Sequence, residues 1–319
     1  MIQFRFGADD MARVRFAFSP QWELIHCLRV LAEPSSRALH LPWVHLVRPR
    51  LRGLDLDLLR ACVPAKGYVA DFLTPPPETP LPDFAVELET VRATPPDVVA
   101  QELEVFEHDS GRSVMSDRPE AALSLLTEQL EAFWTAALEP HWERVRDLLE
   151  GDVLRRTRAL AAQGAEGVFA DLHPGVVWSS DTLTIDRRWD HRSDLRGRGL
   201  LLVPSAFVWP NISVMAPPYQ PMLSYPPLGV ATLWESTPAA PPDALAALIG
   251  RSRAMLLAAL GSPTSTTELA RRLNVTPGAV SQHLGVLRAN GLVIGHRLGR
   301  RVLYVRTKAG DALASQSAQ

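Results

Sequence analysis

Three adjacent side chains, Ser281, Gln282 and His283, carry the most legible chemistry in this sequence, together with Arg288 and a cluster of arginines, Arg297, Arg300 and Arg301. A glutamine amide presents one acceptor and one donor in a single plane, which matches the paired donor and acceptor of adenine. A serine hydroxyl meets a base edge or a phosphate, and a guanidinium neutralises phosphate or reads guanine. Such a set is chemistry for a nucleic-acid duplex, provided that one rigid element gathers the polar groups on one face. Thr276 and Pro277 supply the start of that element, since threonine is a good helix N-cap and proline fits the first helical position. Val280, Leu284 and Leu287 then fall within about 60° of one another at 100° per residue, which predicts a helix over 277–289 with those three buried. Gln282 points almost directly away from that stripe, and Ser281, His283 and Arg288 lie at its edges. Gly278 and Gly285 leave room for close approach. His283 lies only about 60–70° from the apolar stripe, so packing or a phosphate contact is as much expected of it as base reading.

The neighbouring segments have the patterns needed to hold this helix. Asp243 can cap a helix through Leu245, Leu248, Ile249, Met255, Leu256 and Leu260, stopped by Gly261 and Pro263. Thr266–Leu273 reads as a short second helix, joined through Asn274-Val275 to the third, a two-helix unit with a tight turn. After Asn290-Gly291, Leu292–Ile294 and Val302–Val305 read as two strands around Gly295–Arg301, so 292–306 is expected to form a hairpin with a cationic tip. Arginines there would straddle a duplex backbone or enter its minor groove.

Residues Ser262–Tyr304 closely resemble the winged helix-turn-helix of ArsR/SmtB-type bacterial regulators. The resemblance is carried by Glu268-Leu269-Ala270, Ala279-Val280-Ser281-Gln282-His283-Leu284, Val286-Leu287-Arg288, Asn290-Gly291-Leu292-Val293 and Gly299-Arg300-Arg301-Val302-Leu303-Tyr304. It implies double-stranded DNA as partner, a homodimer reading an inverted repeat, and a repressor that leaves its operator when an effector binds. Two recognition helices should then lie about 34 Å apart. The DNA-contacting residues expected from helix and wing are Thr276, Gly278, Ser281, Gln282, His283, Arg288, Arg297, Arg300 and Arg301. Metal-sensing members of that family carry a cysteine pair on the helix preceding the recognition helix. This sequence has Glu268-Leu269-Ala270-Arg271-Arg272-Leu273 there, and 308–316 lacks a paired Asp/His set, so no metal site is expected. The resemblance covers about a quarter of the chain; the rest corresponds to a long-armed variant.

Charge agrees with that division. Residues 243–319 have ten basic and three acidic residues, whereas 61–150 have six basic and eighteen acidic, within a chain of net charge −2. A basic end on an acidic body is the asymmetry of a protein that meets a polyanion at one end only. The cluster Pro238-Ala239-Ala240-Pro241-Pro242 coincides with the break, which sets expected domains of 1–236 and 243–319. The expected class is α+β: a body helical over 20–163, a small antiparallel sheet within 176–235, and the C-terminal winged helix. The body is expected to bind a small-molecule effector and to dimerise. Among its aromatics Trp134, Trp178 and Trp209 are the candidate ligand contacts, although aromatics in a sheet are more often core.

Other function classes find little support. The sequence has no glycine-rich phosphate loop, no Gly-x-Ser-x-Gly elbow and no His-Glu-x-x-His, and Asp171-Leu172-His173 and Asp190-His191 lack a third member at a telling spacing. No catalytic residue and no cofactor is assigned. The alternative is an enzyme or protein-interaction domain fused to a winged helix used for partner contact. Cys27 and Cys62 are too few for a disulfide framework. No run reaches the roughly 18 apolar residues of a spanning helix, and the N-terminus lacks the pattern of a signal peptide, so no membrane contact and a cytoplasmic location are expected.

Overall fold

Strands at the N-terminus decide how the body is built. The structure, a computed structural model, describes all residues except 111–113, 188, 189, 218, 235–242, 262, 299, 300 and 316–319. The fold is α+β, 54% helical with small sheets. It divides into two compact units, Met1–Trp142 with Ala159–Pro227, and Glu143–Arg158 with Leu228–Gln319.

In the first unit β1 (Ile2–Arg5), α1 (Ala8–Ala12) and β2 (Arg15–Phe16) lead to α2 (Pro20–Ala32), which begins where the Ser19 hydroxyl accepts the Trp22 amide at 3.0 Å. Five further helices follow: α3 (Leu41–Val47), α4 (Asp57–Cys62), α5 (Phe84–Arg92), α6 (Pro96–Ser110) and α7 (Pro119–Phe133). A π-helical turn over Trp134–Leu138 continues α7 into α8 (Glu139–Gln163). Helices thus make up most of 20–163. After α9 (Ala165–Phe169) come β3 (Val176–Ser179), β4 (Thr182–Ile185), β5 (His191–Asp194), β6 (Leu201–Pro204), β7 (Ser213–Met215) and β8 (Met222–Tyr225).

The single antiparallel sheet expected within 176–235 is instead two mixed sheets, ordered β3-β4-β1-β5 and β2-β6-β8-β7. β1 lies between β4, antiparallel with Ile2 opposite Ile185, and β5, parallel with Ile2 opposite His191. β2 and β8 flank β6, both parallel to it. Parallel partners need a long crossover, so they are rarely sequence neighbours. The alternating Ile2, Phe4 and Phe6 bury against Phe169, Leu183, Ile185, Leu202 and Leu223, and this core explains why the N-terminal strand is drawn into the sheet.

The second unit contains α10 (Asp243–Ile249), α11 (Arg251–Ala259), β9 (Thr264–Ser265), α12 (Thr266–Leu273), α13 (Pro277–Ala289), β10 (Val293–Leu298), β11 (Arg301–Arg306) and α14 (Lys308–Ser315). The one helix expected from Asp243 to Leu260 is broken at Gly250, whose φ of +85° lies in a region that other residues rarely adopt. Leu245, Leu257, Leu269, Val280, Leu284 and Leu287 make a common core.

The middle of α8 also belongs to this unit, so the units do not follow the linear split at 236. Ser265 Oγ donates to Asp147 Oδ2 at 2.6 Å while accepting the Glu268 amide at 3.2 Å, which fixes α8 to the start of α12. Pro263 packs so closely on Gly151 that a Cβ there would come within 3.1 Å. That approach accounts for a glycine inside a 25-residue helix, where it otherwise costs roughly 0.5–1 kcal/mol.

Candidate nucleic-acid interface

The interface is assembled around the entry to α13. The Thr276 hydroxyl accepts the Ala279 amide at 3.3 Å and Pro277 occupies the first turn, as the sequence requires. Asn274 takes a left-handed conformation, φ 53° and ψ 48°, and ends α12. The Val275 amide returns to the Ala270 carbonyl at 3.0 Å, so the turn between the helices is tight. Val280, Leu284 and Leu287 are buried in the core, and Thr276, Gly278, Ser281, Gln282 and Arg288 are exposed. His283 is half-buried, in keeping with its position beside the apolar stripe. A Cβ built on Gly278 or Gly285 would meet nothing within 4 Å, so this face of α13 is open along its length.

The hairpin β10–β11 runs antiparallel from Val293 opposite Arg306 to Leu298 opposite Arg301, and β9 pairs with the outer side of β11. Arg297 is exposed on β10. Arg300 lies outside the described residues, as does the side chain of Arg301. On the same strand, His296 contacts the Arg158 guanidinium of α8, and burial together with that cation lowers its pKa.

Charge in this unit is less available than the sequence count suggests. Arg271 and Arg272 both donate to the buried Glu268 carboxylate, at 2.7–2.9 Å. Burial alone would raise Glu268, but hydrogen bonds from Arg271 and Arg272 outweigh it and leave its pKa below the ordinary value. Arg306 pairs with Asp311 at 2.9 Å. The carboxylates offset the charge of these cations, so they project less field than their number implies. Arg288, at the far end of α13, remains exposed.

Residues 248–296 match the model of a helix-turn-helix domain. The chain is 44% identical over 61 residues to the HTH-type transcriptional regulator NmtR of Mycobacterium tuberculosis, a stretch covering 19% of this chain and 51% of that protein. The C-terminal quarter is a helix-turn-helix domain of ArsR/SmtB type. In this ArsR/SmtB-type domain α12 and α13 are the two helices of the motif, and β10–β11 is its wing. The chain spans about half the length of the relative it matches. Residues 109–230 match a family of unknown function (DUF5937), and no solved structure matches the chain.

The three tryptophans expected as ligand contacts in the body each lie against a different ring. Trp134 is buried and stacks on Phe84, with ring centroids 4.4 Å apart, and Trp178 stacks on Phe169 at 4.7 Å. Trp209 meets the edge of His40 at 6.4 Å. A different set of residues lines a cleft of about 1180 Å³ in the first unit, among them Trp22, His26, Arg29, Arg37, Arg187 and Ser213. Behind it runs a buried hydrogen-bond chain. Ser205 Oγ donates to Glu23 Oε2 at 2.7 Å, so it accepts from His26 Nδ1 at 2.8 Å, and His26 Nε2 in turn accepts from Ser213 Oγ at 3.1 Å. Burial pushes Glu23 up to about 7. Burial, reinforced by Arg29 and Arg37, holds His26 well below its ordinary value. Ser213 and His26 are thus within hydrogen-bond reach in a chain that ends on the Glu23 carboxylate, and burial disfavours the charged imidazole. No local pattern announces this chain, because its members lie up to 190 positions apart.

Proposed function

We propose that this protein is a DNA-binding transcriptional regulator that acts as a homodimeric repressor. Each copy sets α13 into a major groove of an inverted repeat, with Gln282 and Ser281 at the base edges. Arg288 and the wing residues Arg297, Arg300 and Arg301 meet the phosphates. A small molecule held in the first unit shifts the population between forms with high and low affinity for the operator. One observation carries the reading: on a helix of this motif the apolar stripe is buried, while Ser281, Gln282 and Arg288 all stand exposed. The likeness to a protein titled a transcriptional regulator supports it.

A gel-shift titration against duplex DNA from upstream of the coding sequence tests the proposal. The protein should select a short palindrome over random duplex, with affinity falling steeply as salt rises. Ser281→Ala combined with Gln282→Ala should abolish that selection, by roughly 1–3 kcal/mol for each lost base contact, and leave the helical circular dichroism intact. Equal affinity of the wild type for palindrome and random duplex would overturn the proposal.

A further inference from the structure

We propose that the cleft of the first unit binds a planar aromatic monocarboxylate, its carboxylate taken by the Arg29 and Arg37 guanidiniums and its ring by Trp22, Tyr68 and Tyr219. The inference deepens the regulator reading by giving the effector a site and a chemical class.

The argument begins with what holds the arginines. Arg29 donates from Nε to the Pro64 carbonyl at 3.2 Å and from Nη2 to the Gly67 carbonyl. Arg37 donates from Nη1 to the carbonyls of Phe207, Val208 and Trp209 at 3.1, 3.3 and 2.9 Å. Arg187 donates to the carbonyls of Asp186 and Ile212. Among the described residues none of the three has a carboxylate within 4 Å; Glu33 acts on Arg37 and Asp186 on Arg187 only at longer range, and Arg29 feels no carboxylate. Carbonyls fix a guanidinium in place without neutralising it, so each keeps its positive charge. Arg29 and Arg37 also feel each other: burial and the Arg37 charge together lower Arg29 to about 10. An anion between like charges relieves that repulsion.

The remaining lining narrows the class. Lys66 is already paired with Glu33 at 2.8 Å, and Asp71 interacts with Tyr68. Four cations face three carboxylates along the cleft, leaving a single positive charge, which suits a monoanion better than a polyphosphate. His26 adds no charge, because burial keeps it neutral and its Nε2 is committed to Ser213. Trp22 presents its ring from α2, with its indole N–H anchored on the Pro75 carbonyl at 3.1 Å. Tyr68 and Tyr219 are each about two-fifths exposed at the rim. Guanidinium and aromatic surfaces so combined match a flat anion. The cleft volume slightly exceeds the usual range of small-molecule sites, which run to about 1,000 Å³.

The test uses the full chain in equilibrium dialysis against 2-naphthoate, with 2-naphthamide as the neutral counterpart. The carboxylate should bind with a submillimolar Kd and the amide at least tenfold more weakly. Arg29→Gln should lower naphthoate affinity at least tenfold and leave amide affinity unchanged, with Arg29→Lys restoring part of the preference. Tyr219→Ala should weaken both probes alike. If Arg29→Gln misfolds by circular dichroism, Arg37→Gln provides the second charge-removal variant. The site proposal is overturned if the wild type fails to retain naphthoate at 1 mM, if it binds both probes equally, or if folded charge-removal variants bind naphthoate as the wild type does. Gel shifts run without probe judge the regulator reading separately. A chain that binds naphthoate but no operator keeps the site and loses the regulator, and the converse result keeps the regulator and loses the site.

Discussion

Arginines in the two units are held in opposite ways. Around α12 the partners are carboxylates: Glu268, buried at 2% exposure, receives Arg271 and Arg272. Around the cleft the partners are carbonyls, as at Arg29, Arg37 and Arg187. A carboxylate cancels the cation it orients, whereas a carbonyl orients it and leaves the charge in place. The same residue type is therefore structural in one unit and available in the other. Counting cations along a sequence cannot make that distinction, because it depends on partners chosen by the fold.

The sharpest way to break this comparison is to remove the carboxylate. Glu268→Ala should destabilise the protein by about 3–5 kcal/mol, since it leaves the largely buried Arg272 without the carboxylate it donates to. Urea denaturation measures it, and a loss under 1 kcal/mol would mean that the Glu268 cluster is no more than a solvated surface network.

Acid titration probes the other unit. Below pH 6.5 the unfolded chain takes up protons on His26 and His40 that the folded chain refuses, because burial keeps His26 well below its ordinary value and His40 near 3. Their contribution makes stability fall as pH drops. Between 4.5 and 7 the folded chain instead retains protons on Glu23 and Glu87, both raised to about 7 by burial, so their contribution falls as pH rises. The two effects oppose one another between pH 4.5 and 6.5, where stability should be nearly flat. Below 4.5 the imidazoles are joined by carboxylates held below their ordinary values, Glu268 among them, and stability should fall by about 1.4 kcal/mol per pH unit for each unmatched proton. Glu87→Gln should expose a slope between 4.5 and 6.5, detectable in urea titrations at several pH values. A wild type already steep in that interval would contradict the assignment.

Smaller effects separate structure from readout on α13. Thr276→Ala should cost about 1 kcal/mol of stability by removing the N-cap, measured by thermal melting. Arg288→Ala should leave melting unchanged and reduce the salt dependence of DNA binding by about one phosphate contact.

The α13 face was legible because its signals are local: a cap, a first-turn proline and three leucine or valine positions within twelve residues. The break at Gly250 was not, since a glycine within an apolar stripe is compatible with a continuous helix until packing selects the positive φ. Insertion of β1 between β4 and β5 depends on partners 177 to 189 positions away, and alternation in Ile2, Phe4 and Phe6 predicts a strand without naming its neighbours. The cleft was hidden for a similar reason. Its arginines are scattered among many others, and only their carbonyl partners set them apart. Trp134, Trp178 and Trp209 attracted notice by type alone, yet each is satisfied by a different aromatic neighbour or imidazole.

The sharing of α8 between the units bears on how such a chain can be divided or recombined. A cut at the proline-rich segment 238–242 would separate Ser265 from Asp147 and Pro263 from Gly151, stripping the DNA-facing half of its internal brace. Gene fusion or exchange at that seam would deliver a C-terminal half that lacks the stretch of α8 completing its fold, although the boundary looks easy to cross.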